Sequence, residues 1–124
     1  MIQATELRIG NLLLDAVKIQ IEVCALGKDV LMAKDSGTSR YEVVRGIPLT
    51  EEWLLRFGFT NYETQWWYYK QEEKFVLTYE EYLGEKNFFL SYEYEQAPIK
   101  YVHQLQNLYF ALTGTELTLK SEQL

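Results

Sequence analysis

Hydrophobic positions recur along this chain with two different periods, and the change between them separates strands from helices. Val17, Ile19, Ile21 and Val23 alternate with Lys18, Gln20, Glu22 and Cys24, which predicts a strand with one buried face. Ile9-Gly10-Asn11 and Leu12 to Leu14 lead into it. Gly27-Lys28-Asp29 and Asp35-Ser36-Gly37 read as turns, Val30 to Ala33 between them as a second strand, and Tyr41 to Val44 as a further one. Short strands joined by tight turns suit an SH3-like small barrel or a curled meander, or else one edge of a larger sheet.

The pattern then switches. In Ile47-Pro48-Leu49-Thr50-Glu51-Glu52-Trp53-Leu54-Leu55-Arg56-Phe57-Gly58-Phe59, Thr50 is placed to cap a short helix. Glu51 and Glu52 occupy its first turn and Arg56 its last, where the helix dipole favours each sign. Leu49 and Leu54 have staple spacing, and Gly58-Phe59 fits a Schellman ending. So short a helix forms only if Trp53, Leu54 and Phe57 are anchored in a core.

Three further strands are predicted over Gln65 to Lys70, Lys74 to Tyr79 and Asn87 to Tyr94, with Pro98 closing the sheet. The last periodic stretch, Ile99 to Gly114, reads as a helix: at about 100° per residue Tyr101, Leu105, Leu108 and Leu112 share a stripe that Val102 and Tyr109 widen. Its other side is unusual, because His103, Gln104, Gln106 and Asn107 are polar yet uncharged and Phe110 lies among them. Such a face is covered by the N-terminal barrel or by a partner, and Phe110 is expected in internal core. The expected fold is therefore α+β and mostly antiparallel: an N-terminal small barrel or meander, a short helix, then a three-stranded meander packed by a C-terminal helix. It forms one compact domain over residues 1–124, with subdomains 1–48 and 49–124.

Composition narrows the setting. A hydrophobic fraction of 48% and an aromatic fraction of 15% over 124 residues exclude disorder. One cysteine excludes an intrachain disulfide, no secretory segment is evident at the start, and no apolar run could span a bilayer, so a soluble cytoplasmic protein is expected. The net charge of −6 is uneven: Met1 to Tyr62 carries eight acids and seven bases, the remainder ten acids and five bases. Any nucleic-acid surface would have to use Lys18, Lys28, Lys34, Arg40 and Arg45.

Catalytic spacing is missing. A single His and a single Cys leave no nitrogen and sulfur ligand set for zinc, and a Cys/His pair would have to join Cys24 to His103. No glycine-rich phosphate loop, nucleophile elbow or calcium-loop spacing occurs, and the adjacent acids Glu51-Glu52, Glu72-Glu73 and Glu80-Glu81 have plainer roles in caps and turns. Neither a catalytic residue nor a cofactor is expected. Trp66-Trp67-Tyr68-Tyr69 is the strongest hint of binding, with Trp66 and Tyr68 on one face of a strand. His103, Gln106 and Phe110 form the other candidate contact surface.

ELRIGN at Glu6 to Asn11, IPLTEEWLLRFGF at Ile47 to Phe59 and YVHQLQNLYFALTGTEL at Tyr101 to Leu117 together resemble a family of small uncharacterised bacterial proteins, common in gut anaerobes and often found in prophage-like and other mobile elements. The resemblance implies no activity, cofactor or site residue. The expected function is a non-enzymatic protein-interaction or accessory role in a mobile element, through another protein or self-association. The alternatives are a nucleic-acid-associated barrel and, further off, a small-molecule enzyme.

Overall fold

The computed structural model describes residues 2–61, 67–70, 75–92 and 95–120, with backbone only at 67–69, 91–92 and 95–96. The chain is α+β and mostly antiparallel, and it divides into two compact units: residues 1–48 with 101–108, and residues 49–100 with 109–124. The division falls after Pro48, and the start of the last helix belongs to the first unit.

In the first unit a 3₁₀ turn (Ala4–Glu6) precedes β1 (Leu12–Leu14), β2 (Gln20–Leu26), β3 (Val30–Ala33), β4 (Gly37–Arg40) and β5 (Arg45–Gly46). The sheet order β4-β3-β2-β1-β5 is a meander whose last strand returns to pair with the first, as in an SH3-like small barrel. A register shift between Val23 and Ala25 bends β2, the usual device for curling a sheet. Leu13, Ile21, Val23, Leu31 and Ala33 point inward and are buried.

Two strand expectations fail here for identifiable reasons. Val17 and Ile19 do not extend β2 and are exposed. Their N–H groups both donate to the Asp15 carboxylate, and Lys18 adopts φ +65, so the apparent alternation is a tight turn. Tyr41 to Val44 is also a turn, closed by the Val43 N–H on the Arg40 carbonyl. Tyr41 and Val44 are buried, and the Tyr41 hydroxyl donates to the Gly27 carbonyl.

The second unit opens with α1 (Glu51–Arg56). The Thr50 hydroxyl accepts the Trp53 N–H at 3.4 Å. At the other end Gly58 has φ +91, its N–H donates to Leu55 and that of Phe59 to Leu54, the two bonds of a Schellman motif. Leu54 and Phe57 are buried, whereas Trp53 is half-buried and carries the Arg56 guanidinium 4.2 Å above its ring. Because the capping bond is long, Thr50→Ala is expected to cost about 0.5–1 kcal/mol and Thr50→Asp almost nothing, as thermal melts would show. Equal losses from both would mean that the threonine packs rather than caps.

The sheet that follows has four strands, not three: β6 (Trp67–Lys70), β7 (Phe75–Tyr82), β8 (Glu85–Tyr92) and β9 (Glu95–Ile99), in that order. Pro98 does not close the sheet as its type predicts but lies within β9 opposite Phe89. An edge strand tolerates this because one of its sides needs no ladder bond. Phe59, Phe75 and Tyr109 meet edge-on, at centroid separations of 6.0 and 5.0 Å, in a core with Leu54, Phe57, Leu77 and Phe88.

The last helix, α2 (Val102–Thr113), begins with the Gln104 side chain accepting the Tyr101 N–H and ends at Gly114, φ +73, whose N–H donates to Phe110. Its buried arc is Val102, His103, Leu105, Gln106 and Tyr109, while Leu108 is half-buried and Tyr101 and Leu112 are exposed. The arc is thus turned by about 100° from the leucine stripe. Gln106 and His103 make up one side of it.

Candidate functional site

That polar side carries the most elaborate side-chain assembly among the described residues. β5 is so short that it covers β1 only at Leu13 and Leu14. Beyond Gly46 the chain leaves β1: the Ile47 carbonyl accepts the Val102 N–H, and Pro48 bridges to Tyr101. The start of β1 would be left with bare peptide groups. Gln106 fills the gap, its Oε1 accepting the Leu12 N–H at 2.9 Å and its Nε2 donating to the Gly10 carbonyl at 3.0 Å. One amide side chain presents a donor and an acceptor as a neighbouring strand would.

Asn11 and Asn107 extend the assembly. The Asn11 Oδ1 accepts the Arg8 N–H at 2.7 Å and its Nδ2 donates to the Asn107 Oδ1 at 2.8 Å; the Asn107 Nδ2 donates to the Glu6 carbonyl at 2.8 Å. Arg8 Nη1 reaches the Asn107 Oδ1 at 3.3 Å. Gly10, at φ +98, turns the chain so that these groups converge. The uncharged face of the helix is explained: amides satisfy buried backbone groups without the cost of desolvating a charge. ELRIGN and YVHQLQN are thus the two halves of one lock.

His103 closes one side. Its Nε2 lies 3.3 Å from the Glu6 Oε1, its ring stacks on Tyr101 at 5.7 Å, and Nδ1 is buried with no partner. A neutral imidazole fits, with the proton on Nε2 facing the carboxylate and a bare lone pair on Nδ1. Burial pushes the imidazole below its ordinary value, against the opposing pull of the Glu6 hydrogen bond and charge. Since the unfolded chain then takes up the proton first, this contribution is complete above a pH of about 6.5 and is lost as pH falls towards the folded-state value. Denaturation at stepped pH is therefore expected to show stability declining below that point, and His103→Gln to remove the decline.

His103 and Gln106 are consequently internal, not an accessible contact surface. Phe110 is 38% exposed, contrary to the expectation of internal core, so the three do not form one patch. Trp66 lies outside the described residues, and Tyr68 is described only as backbone, opposite Leu77. The basic residues are not brought together. The meander puts Lys18, Lys34 and Arg45 at one end, in two turns and opposite Leu14, while Lys28 and Arg40 stand at the other, in a turn and opposite Val30. Arg40 is paired with Glu42 at 2.8 Å. Asp29 and Asp35 adjoin Lys28 and Lys34, which breaks any cationic stripe for a phosphate backbone.

Cys24 is exposed on β2, and no hydrogen bond joins it to His103. Among the described residues no group of three or more His, Cys, Asp or Glu side chains could hold a metal ion, and no helix is long and apolar enough to cross a membrane. Sequence reasoning missed Asn11 and the backbone of Gly10 and Leu12. The available signal was the pairing of a polar, uncharged helix face with a glycine-asparagine step before the first strand. No family model, curated protein or solved structure matches the chain.

Proposed function

We propose that this chain is a non-enzymatic protein-interaction module, an accessory protein of a bacterial mobile element acting in the cytoplasm. The observation that carries the reading is the outer face of β3. Leu31 and Ala33 turn into the core, while Val30 and Met32 stand exposed side by side on the opposite face, with Ala25 next to Met32 across β2. Single exposed apolar residues are ordinary, but a contiguous group on a rigid sheet favours a partner. β4 lies at the edge beside it and brings Thr38 opposite Met32 and Arg40 opposite Val30, a polar rim of the kind that surrounds an apolar contact. The resemblance to mobile-element proteins supports the accessory role.

Native-lysate capture with the wild type and with Met32→Glu tests the reading. A bound protein that disappears with Met32→Glu, while the melting temperature is unchanged, supports it. Retention of every captured protein by the variant would refute it.

A further inference from the structure

The geometry points to a second contact surface: we propose that the tip of the β7–β8 hairpin is a docking finger for a partner protein offering an apolar pocket rimmed by lysine and arginine. This rests on reading the chain as an interaction module, but on a surface separate from Val30 and Met32. Tyr82 pairs with Glu85, so Leu83 and Gly84 alone make the turn. Both have positive φ, +53 and +83, the geometry of a type I′ hairpin. That turn asks for asparagine, aspartate or glycine at its first position, and a leucine there is strained.

Leu83 gains nothing from packing to offset the strain, because it is 86% exposed. Its neighbour Tyr82 is 71% exposed. Folding therefore does not account for a tyrosine and a leucine at this place, and a rule broken locally without compensation marks a site kept for another purpose. Large apolar side chains are the usual anchors of an interface.

The charge around the tip selects the partner. Glu80, Glu81 and Glu85 are all exposed, and none is held in an ion pair among the described residues. The one cation in the described sequence of the hairpin, Lys86, reaches Glu51 and the Tyr79 ring. A finger with an apolar end and an acidic collar complements an apolar surface with a basic rim and is repelled by an anionic lipid headgroup.

A fluorescent amphipathic helical peptide of leucine and lysine serves as the simplest basic-rimmed apolar probe, with binding read by anisotropy. Tyr82→Ser with Leu83→Asn, which leaves the charge unaltered, is expected to weaken binding about tenfold or more. Glu80→Gln with Glu81→Gln should weaken it and flatten its dependence on salt, and Val30→Glu with Met32→Glu should leave it intact. Leu83→Asn alone should raise the melting temperature by a few degrees as the strain is relieved. Equal affinity of the Tyr82 and Leu83 variant would mean charge alone binds the peptide and would overturn the proposal, as would a lowered melting temperature for Leu83→Asn. So would sedimentation with phosphatidylcholine vesicles, or self-association in sedimentation velocity, that depends on Tyr82 and Leu83. If the finger variants are silent while Met32→Glu still loses its captured protein, only the finger falls; if both are silent, the interaction reading falls with it.

Discussion

Replacing Gln106 with leucine is expected to destabilise the protein by about 2–5 kcal/mol, although volume and helix propensity are nearly kept. The Leu12 N–H and the Gly10 carbonyl would both be left without partners in a buried place, and each such group costs about 1–3 kcal/mol. Gln106→Glu separates the two bonds. Its carboxylate can still accept from Leu12 but cannot donate to Gly10, and it also buries a charge, so at neutral pH it should be about as damaging as leucine. On acidification the protonated acid regains the missing donor, and part of the loss should return. Urea unfolding of the three proteins at two pH values measures this. A leucine variant as stable as the wild type would show that water replaces the amide and that the lock is ornamental.

The second large effect is expected at Gly46. A Cβ there would lie 2.7 Å from two atoms of the Tyr101 ring and 3.0 Å from the His103 Cε1, closer than carbon atoms approach. The near part of a ring stacked on an imidazole cannot simply swing aside. Gly46→Ala should therefore cost about 1–3 kcal/mol through overpacking, in spite of alanine's smaller loss of backbone entropy. The cause is local, so Tyr101→Ser in the same chain should recover most of it in a double-mutant cycle. Additive losses would place the strain in the backbone of β5 instead.

Much of this architecture is legible in the residues. The short helix α1 can be read bond by bond, because staple, cap, acidic start, basic end and glycine stop are all local, and Leu49, Thr50, Leu54, Gly58 and Phe59 take the parts their types suggest. Val30 to Ala33 is equally plain. The errors arise where a distant partner or a side-chain bond outweighs periodicity. Val17 and Ile19 keep perfect alternation, yet the Asp15 carboxylate folds them into a turn. Leu112 belongs to the leucine stripe, yet the helix buries Gln106 and His103 instead, because the β1 edge needs an amide more than it needs a methyl group. A helical wheel ranks residues by apolarity and is blind to unmet peptide groups on another element. Phe110 lies on the polar side of the wheel, where cover by the barrel predicts internal core, yet it is 38% exposed. The polar, uncharged face itself was visible, and so was the choice between the barrel and a partner as its cover. What could not be seen was which peptide groups it would serve.

The lock also sets an order of events in the cell. Gly10 and Gln106 are separated by 96 positions, so the bond that closes the first strand waits for a segment made 96 residues later on the ribosome. Until α2 has left the exit tunnel, Gln106 cannot reach Gly10 and Leu12, and among the described residues no other side chain bonds these two peptide groups. Such contacts, distant along the chain, slow folding and lengthen the time for which a strand edge is available to other molecules. Ending the chain after Pro48 would isolate that state permanently: the fragment would carry every strand of the first sheet, lack the two turns of helix that seal it, and be expected to pair with whatever strand it met.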